Sequence, residues 1–171
     1  MTVDELMKDK ALKPKEKTET ICQWLVDGSL PVDELLAFAG KQKDPVKATC
    51  IEAMEYVTKR DPSFADDAVW QFVTASLAAK APRIKWESAK VIGNVAHLFP
   101  SGLSTAITGL LVNTNHEGTV VRWSAAFALG EILKLKTAHN SALLPEIEGI
   151  CEREEKNSIR KIYLDAIKKT V

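Results

Sequence analysis

The sequence predicts an all-α fold built of antiparallel helix pairs stacked one on the next, and three observations carry that expectation. Four stretches of the chain align without gaps at a nearly constant spacing. Their apolar residues recur at the period of a helix, not at the alternation of a strand. Proline, glycine and capping residues punctuate the chain between them.

The repeat is anchored on Val46, Ile84, Val121 and Ile159, which stand 38, 37 and 38 residues apart. Each anchor is β-branched, each is followed by Lys or Arg (Lys47, Lys85, Arg122, Arg160), and positions +4, +5, +7 and +8 are small or apolar. A fixed period of this length is the mark of a solenoid of supersecondary units. In the third unit Val121, Ala125, Leu129 and Ile132 fall on one helical stripe, and the alanine-rich filling favours a helix.

In chain order, a short helix near 2–12 and a second near 15–26 precede the regular array. Asp27-Gly28-Ser29 ends the second, and a helix is expected at 31–40. Asp44-Pro45 opens the first repeat helix and Asp61-Pro62 separates it from a partner at 64–79. Ala81-Pro82 sets proline in the first turn of the second repeat helix, where its missing N–H costs nothing. Pro100-Ser101-Gly102 breaks the chain before 102–113. Asn115 to Gly118 then lead into the third repeat helix, with Thr119 as its expected cap. A helix at 141–154 and a last one capped by Asn157 or Ser158 complete the count. The expected organisation is therefore an N-terminal cap, 1–30, packed as one domain with four helix-pair repeats, 31–171.

Composition bounds the function. The 171 residues are 46% hydrophobic and 27% charged, ordinary globular usage that excludes a disordered or collagen-like chain. With 23 basic and 23 acidic residues the formal net charge is zero, which removes the usual electrostatic basis for nucleic-acid or anionic-membrane binding. No apolar run approaches the roughly 20 residues of a membrane span. The first ten residues mix acids with lysines and lack the order of a signal peptide. A soluble, cytoplasmic protein is the expectation. Cys22, Cys50 and Cys151 are far apart, odd in number and without C-x-x-C spacing, so they read as small apolar fillers. His97, His116 and His139 stand singly, and neither a metal nor a cofactor motif is present.

An anchor Val or Ile, a basic residue and small residues leading to Ala-Leu-Gly resemble the second helix of a HEAT repeat. Val121-Arg122-Trp123-Ser124-Ala125-Ala126-Phe127-Ala128-Leu129-Gly130-Glu131-Ile132 is the best match. The likeness covers about 31–170, while the first 30 residues fit poorly. Glu55 stands where two other units carry Gly93 and Gly130, and the fourth unit departs with Tyr163 and Lys168. The resemblance implies a right-handed α-α superhelix whose second helices line a concave, partner-binding side. It also implies that the basic residue after each anchor pairs with carboxylates or carbonyls between repeats, a structural role.

At about 100° per residue, the anchor and +4, +7, +8 and +11 share one face. That face holds Val46, Ala53, Met54 and Val57, then Ile84, Val91, Ile92 and Val95, then Val121, Ala125, Leu129 and Ile132. The opposite side carries Trp86 and Trp123 at +2, Lys90 and Phe127 at +6, Tyr56, Asn94 and Glu131 at +10, and Lys134 at +13. Trp86, Trp123 and Phe127 are expected to form a contiguous exposed aromatic cluster. Lys90, Asn94, Glu131, Lys134 and Tyr56 rim it, as in a protein-binding hot spot. A contrasting expectation folds the indoles sideways to seal the groove between repeats.

The pattern therefore favours a non-catalytic scaffold gripping a protein or peptide. A nucleic-acid enzyme like the DNA alkylation repair glycosylases, which resemble HEAT arrays and place a catalytic aspartate one turn after a tryptophan, is disfavoured. Here those positions are Lys90 and Phe127, and Asp165 follows Lys161 instead. A pigment-handling, lyase-type or chaperone-like HEAT protein is a further alternative, although its short repeats differ from this period.

Overall fold

A computed structural model describes residues 1–170. Its long elements are α1 (Val3–Lys8), α2 (Pro14–Asp27), α3 (Val32–Gly40), α4 (Val46–Arg60) and α5 (Asp67–Ser76). They continue with α6 (Pro82–Val95), α7 (Leu103–Asn113), α8 (Thr119–Lys134), α9 (Asn140–Arg153) and α10 (Asn157–Thr170), and no strand occurs among the described residues.

Helices α2, α4, α6, α8 and α10 pack side by side in chain order and form the inner layer. The outer helices α3, α5, α7 and α9 touch their inner partners but scarcely one another. A stack that is tight on one side and open on the other must curve, and the inner helices line its hollow side.

The core lies between the layers. Of the predicted core face only Val46, beside the opening turn of α4, is not fully buried; the other eleven residues are at most 5% exposed. The outer helices answer with stripes at helical spacing: Leu35 and Ala39, Val69 and Val73, then Leu103, Ala106 and Leu110, then Leu143, Ile147 and Ile150. Trp70 stacks on Phe99 at 4.9 Å and donates its indole N–H to the Gly102 carbonyl at 3.3 Å, pinning the turn into α7.

Some expected boundaries move for identifiable reasons. Helix α5 spans only part of 64–79, because Asp66 accepts the Val69 N–H at 2.9 Å and starts the helix there. Thr119 is not a cap: Gly118 occupies that place, and the His116 Nδ1 accepts the Gly118 N–H at 2.8 Å to close the turn. Helix α10 begins at Asn157, so Asn157 and Ser158 lie within its first turn and do not precede it as caps; the Lys156 N–H just before it donates to Glu154 at 3.1 Å. The N-terminal segment is tied to the array through Thr18, which donates to Glu52 at 2.8 Å, and α2 extends the inner layer by one helix.

The basic residues after three anchors bridge neighbouring units. Lys47 lies over the Phe72 ring, Lys85 donates to the Leu77 carbonyl and Asn113, and Arg122 pairs with Glu154 at 3.0 Å while donating to the His116 and Glu117 carbonyls. Arg160, in the last unit, is exposed.

Candidate functional site on the inner face

The inner face is built from residues at +2, +6 and +10 of α4, α6 and α8. At +6 the side chain leans onto the preceding helix and meets whatever stands there at +9. Phe127 lies on Gly93, where a Cβ would overlap its ring. Lys90 leans toward Glu55, whose carboxyl feels its charge. The glutamate that breaks the glycine pattern in the first unit is thus matched to a lysine, just as Gly93 is matched to a phenylalanine.

Trp123 stacks on Phe127 with ring centroids 6.0 Å apart and planes 11° from parallel, and it remains 38% exposed. Phe127 itself is half-buried, its ring lying against Gly93 of α6 and stacked with the Trp123 indole. Trp86 is half-buried and makes no ring pair with either; its N–H donates to Glu87 at 2.9 Å. The expected single aromatic cluster is therefore two separate spots. They separate because Phe127 settles on Gly93, two turns along α6 from Trp86.

The rim divides as well. Asn94 is committed, donating to the Glu55 carbonyl at 3.1 Å and to the Thr58 hydroxyl at 3.2 Å, so it ties α6 to α4 and is not a free rim group. Glu131 and Lys134 pair at 2.6 Å along α8. Tyr56 is 38% exposed and also lines a groove of about 550 Å³ between α2 and α4, walled by Val26, Phe64 and Arg60. Cys22 borders this groove, but burial pushes its thiol up to about 11, which leaves little thiolate at neutral pH.

Glu87, at +3, escaped the sequence reading. It is 2% exposed, its Oε1 accepts from Trp86 and faces the Lys90 ammonium at 3.6 Å, and its Oε2 has no hydrogen-bond partner. Burial raises its carboxyl to about 7, against the opposing pull of Lys90 and with Glu52 and Glu55 adding to the rise. A signal existed in the pattern: +3 holds Thr49, Glu87 and Ser124, three polar residues that all become buried.

No group of three or more His, Cys, Asp or Glu among the described residues is placed to hold a metal, and no described helix is long and apolar enough to cross a membrane. No family model matches the sequence, and no curated protein matches it. Solved structures do. A designed armadillo repeat protein in complex with the peptide (KR)4 superposes with a TM-score of 0.76 at 16% identity, over 99% of this chain and 80% of that one. The fold is an armadillo-like helical-repeat solenoid. Computationally designed armadillo repeat proteins for modular peptide recognition give a TM-score of 0.74 at 12% identity, over 99% of this chain and 81% of that one. The complex of CpcE and CpcF of phycocyanin lyase from Nostoc sp. PCC7120 matches at 0.73 and 16% identity, over 96% of this chain and 97% of that one.

Proposed function

We propose that this protein is a non-catalytic scaffold of HEAT-type units that holds a segment of a partner protein along the inner face of α4, α6 and α8. The observation that carries the reading is Trp123. It is a large, rigid ring left 38% exposed on the hollow side and braced from beneath by Phe127, which rests on a glycine. An indole presented this way offers apolar area at low entropic cost, the usual character of an interface anchor. Designed armadillo repeat proteins of the same fold, made for peptide recognition, support a polypeptide as the occupant. The balanced charge of the chain speaks against nucleic acid as the partner.

The test is a pull-down with wild type and with the double variant Trp86→Ala/Trp123→Ala. The variant is expected to lose the partner while its helical content, read by circular dichroism, stays unchanged. Full retention of the partner would defeat the proposal. Binding should also change little with salt, whereas a partner held through phosphates would be released steeply.

A further inference from the structure

We propose that the open end of the array, formed by α9 and α10, is a dimer interface that a second copy of this chain covers in a two-fold, end-to-end arrangement. This surface is separate from the inner face of α4, α6 and α8, so the two readings are tested independently.

The first observation is an unused clamp. The basic residue after each of the first three anchors reaches into the unit that follows: Lys47 onto Phe72, Lys85 to Asn113 and Arg122 to Glu154. Arg160 occupies the same place in the fourth unit, but no described helix follows α10. It is exposed and has no ion-pair partner among the described residues.

The second observation is the stripe beside it. Positions +5 and +9 of the other inner helices face the next one and are buried: Ile51 and Glu55, Ala89 and Gly93, Ala126 and Gly130. In α10 these positions are Leu164, 51% exposed, and Lys168, also exposed. Leu164, Ile167 and Cys151 line a groove of about 270 Å³ between α9 and α10, bordered by Arg160 of α10 and by Glu148 and Glu152 of α9. Charge on this end is therefore sorted by helix, with Arg160 and Lys168 on α10 and Glu148 and Glu152 on α9. None of the four is ion-paired among the described residues. Lys161 and Asp165, at +2 and +6, turn to the hollow side.

A face that is basic on one half and acidic on the other is complementary to itself, and the charges choose the axis. A two-fold axis running along the helices keeps each side chain at its height and sets α10 of one copy against α9 of the other, so opposite charges meet twice. An axis across the helices would lay α10 on α10, like charge on like, which is unfavourable. In the first arrangement Arg160 meets Glu152 near the end of the second copy's outer helix, repeating the Arg122–Glu154 pairing within the array. The two Leu164 side chains meet at the axis and enter the grooves. Exposed ion pairs contribute little affinity by themselves, so Leu164 is the anchor and the charges set the orientation.

The experiment is sedimentation velocity on the intact chain at concentrations up to about 0.2 mM, where weak association is populated. A reversible dimer is expected. Leu164→Asp should weaken it about tenfold or more. Glu152→Arg and Arg160→Glu should each lose self-association, because each makes the facing rows alike in charge; mixed together, the two variants should form a one-to-one complex. All three positions are exposed, and circular dichroism checks that helix is kept. A monomer throughout the range overturns the proposal, as does a Leu164→Asp dimer of unchanged affinity or a mixture that stays monomeric. The mixing result decides the matter even where Leu164→Asp fails to fold, and none of these outcomes bears on the Trp86/Trp123 pull-down.

Discussion

Gly93 and Phe127 show how one residue's absence of a side chain shapes the face. A methyl group on Gly93 would occupy the space of the Phe127 ring. Gly93→Ala should therefore cost about 1–3 kcal/mol, the usual penalty for overpacking, in chemical denaturation. It should also tilt Trp123 and alter its fluorescence; the double change Gly93→Ala/Phe127→Ala should restore the space but not the stacking. Glu87 supplies a second prediction at this scale. Its folded carboxyl titrates at about 7 and its unfolded one near 4.5, so between those values the native state binds the extra proton. Stability then falls as pH rises through that window and levels off above it. Glu87→Gln should flatten the decline and make the protein more stable than wild type near pH 8, by an amount of order 1–3 kcal/mol in urea titrations. An unchanged pH profile would show that Glu87 keeps an ordinary affinity for protons.

At the scale of elements, the junctions between units are held by polar clamps as well as by apolar packing. Arg122 is the fullest case, joining the start of α8 to the end of α9 through Glu154 and two carbonyls. Burial works against the charge on Glu154, yet the Arg122 hydrogen bonds prevail and hold its carboxyl below the ordinary carboxylate value. Arg122→Ala would strand a carboxylate that is only 4% exposed at its side chain. A loss of about 3 kcal/mol follows from breaking one side of such a buried pair. Hydrogen exchange should locate the loosening in α9 and α10 ahead of α4 and α6. The structural role of the basic residue after the anchor was implied by the resemblance to HEAT repeats, and it holds for Lys47, Lys85 and Arg122 but not for the exposed Arg160. The partners were not implied, because Phe72 within α5, Asn113 at the end of α7 and Glu154 just after α9 share neither residue type nor place in their units.

Over the whole molecule, stability is distributed as in a one-dimensional stack, where each unit leans on its neighbours. Helices α4, α6 and α8 are flanked on both sides within the inner layer, whereas α10 has one inner neighbour and leaves Leu164 51% exposed. Amide exchange should be slowest in the three central inner helices and fastest in α1 and α10; uniform protection throughout would mean the array opens only as a single unit.

The period of the anchors and the helical recurrence of apolar residues by themselves determined the all-α class, the pairing of helices and the core face of the three central inner helices. These depend on spacing along one chain and on burying apolar surface, both of which are local in the sequence. Where a side chain on the outward half of a helix finally rests depends on what the adjacent helix offers at the crossing point. Gly93 draws Phe127 across, the Glu55 carbonyl and Thr58 capture Asn94, and Glu87 is drawn under cover between Trp86 and Lys90. A helical wheel describes one helix at a time, and only the packed neighbours could separate an exposed anchor such as Trp123 from residues that close the seams beside it.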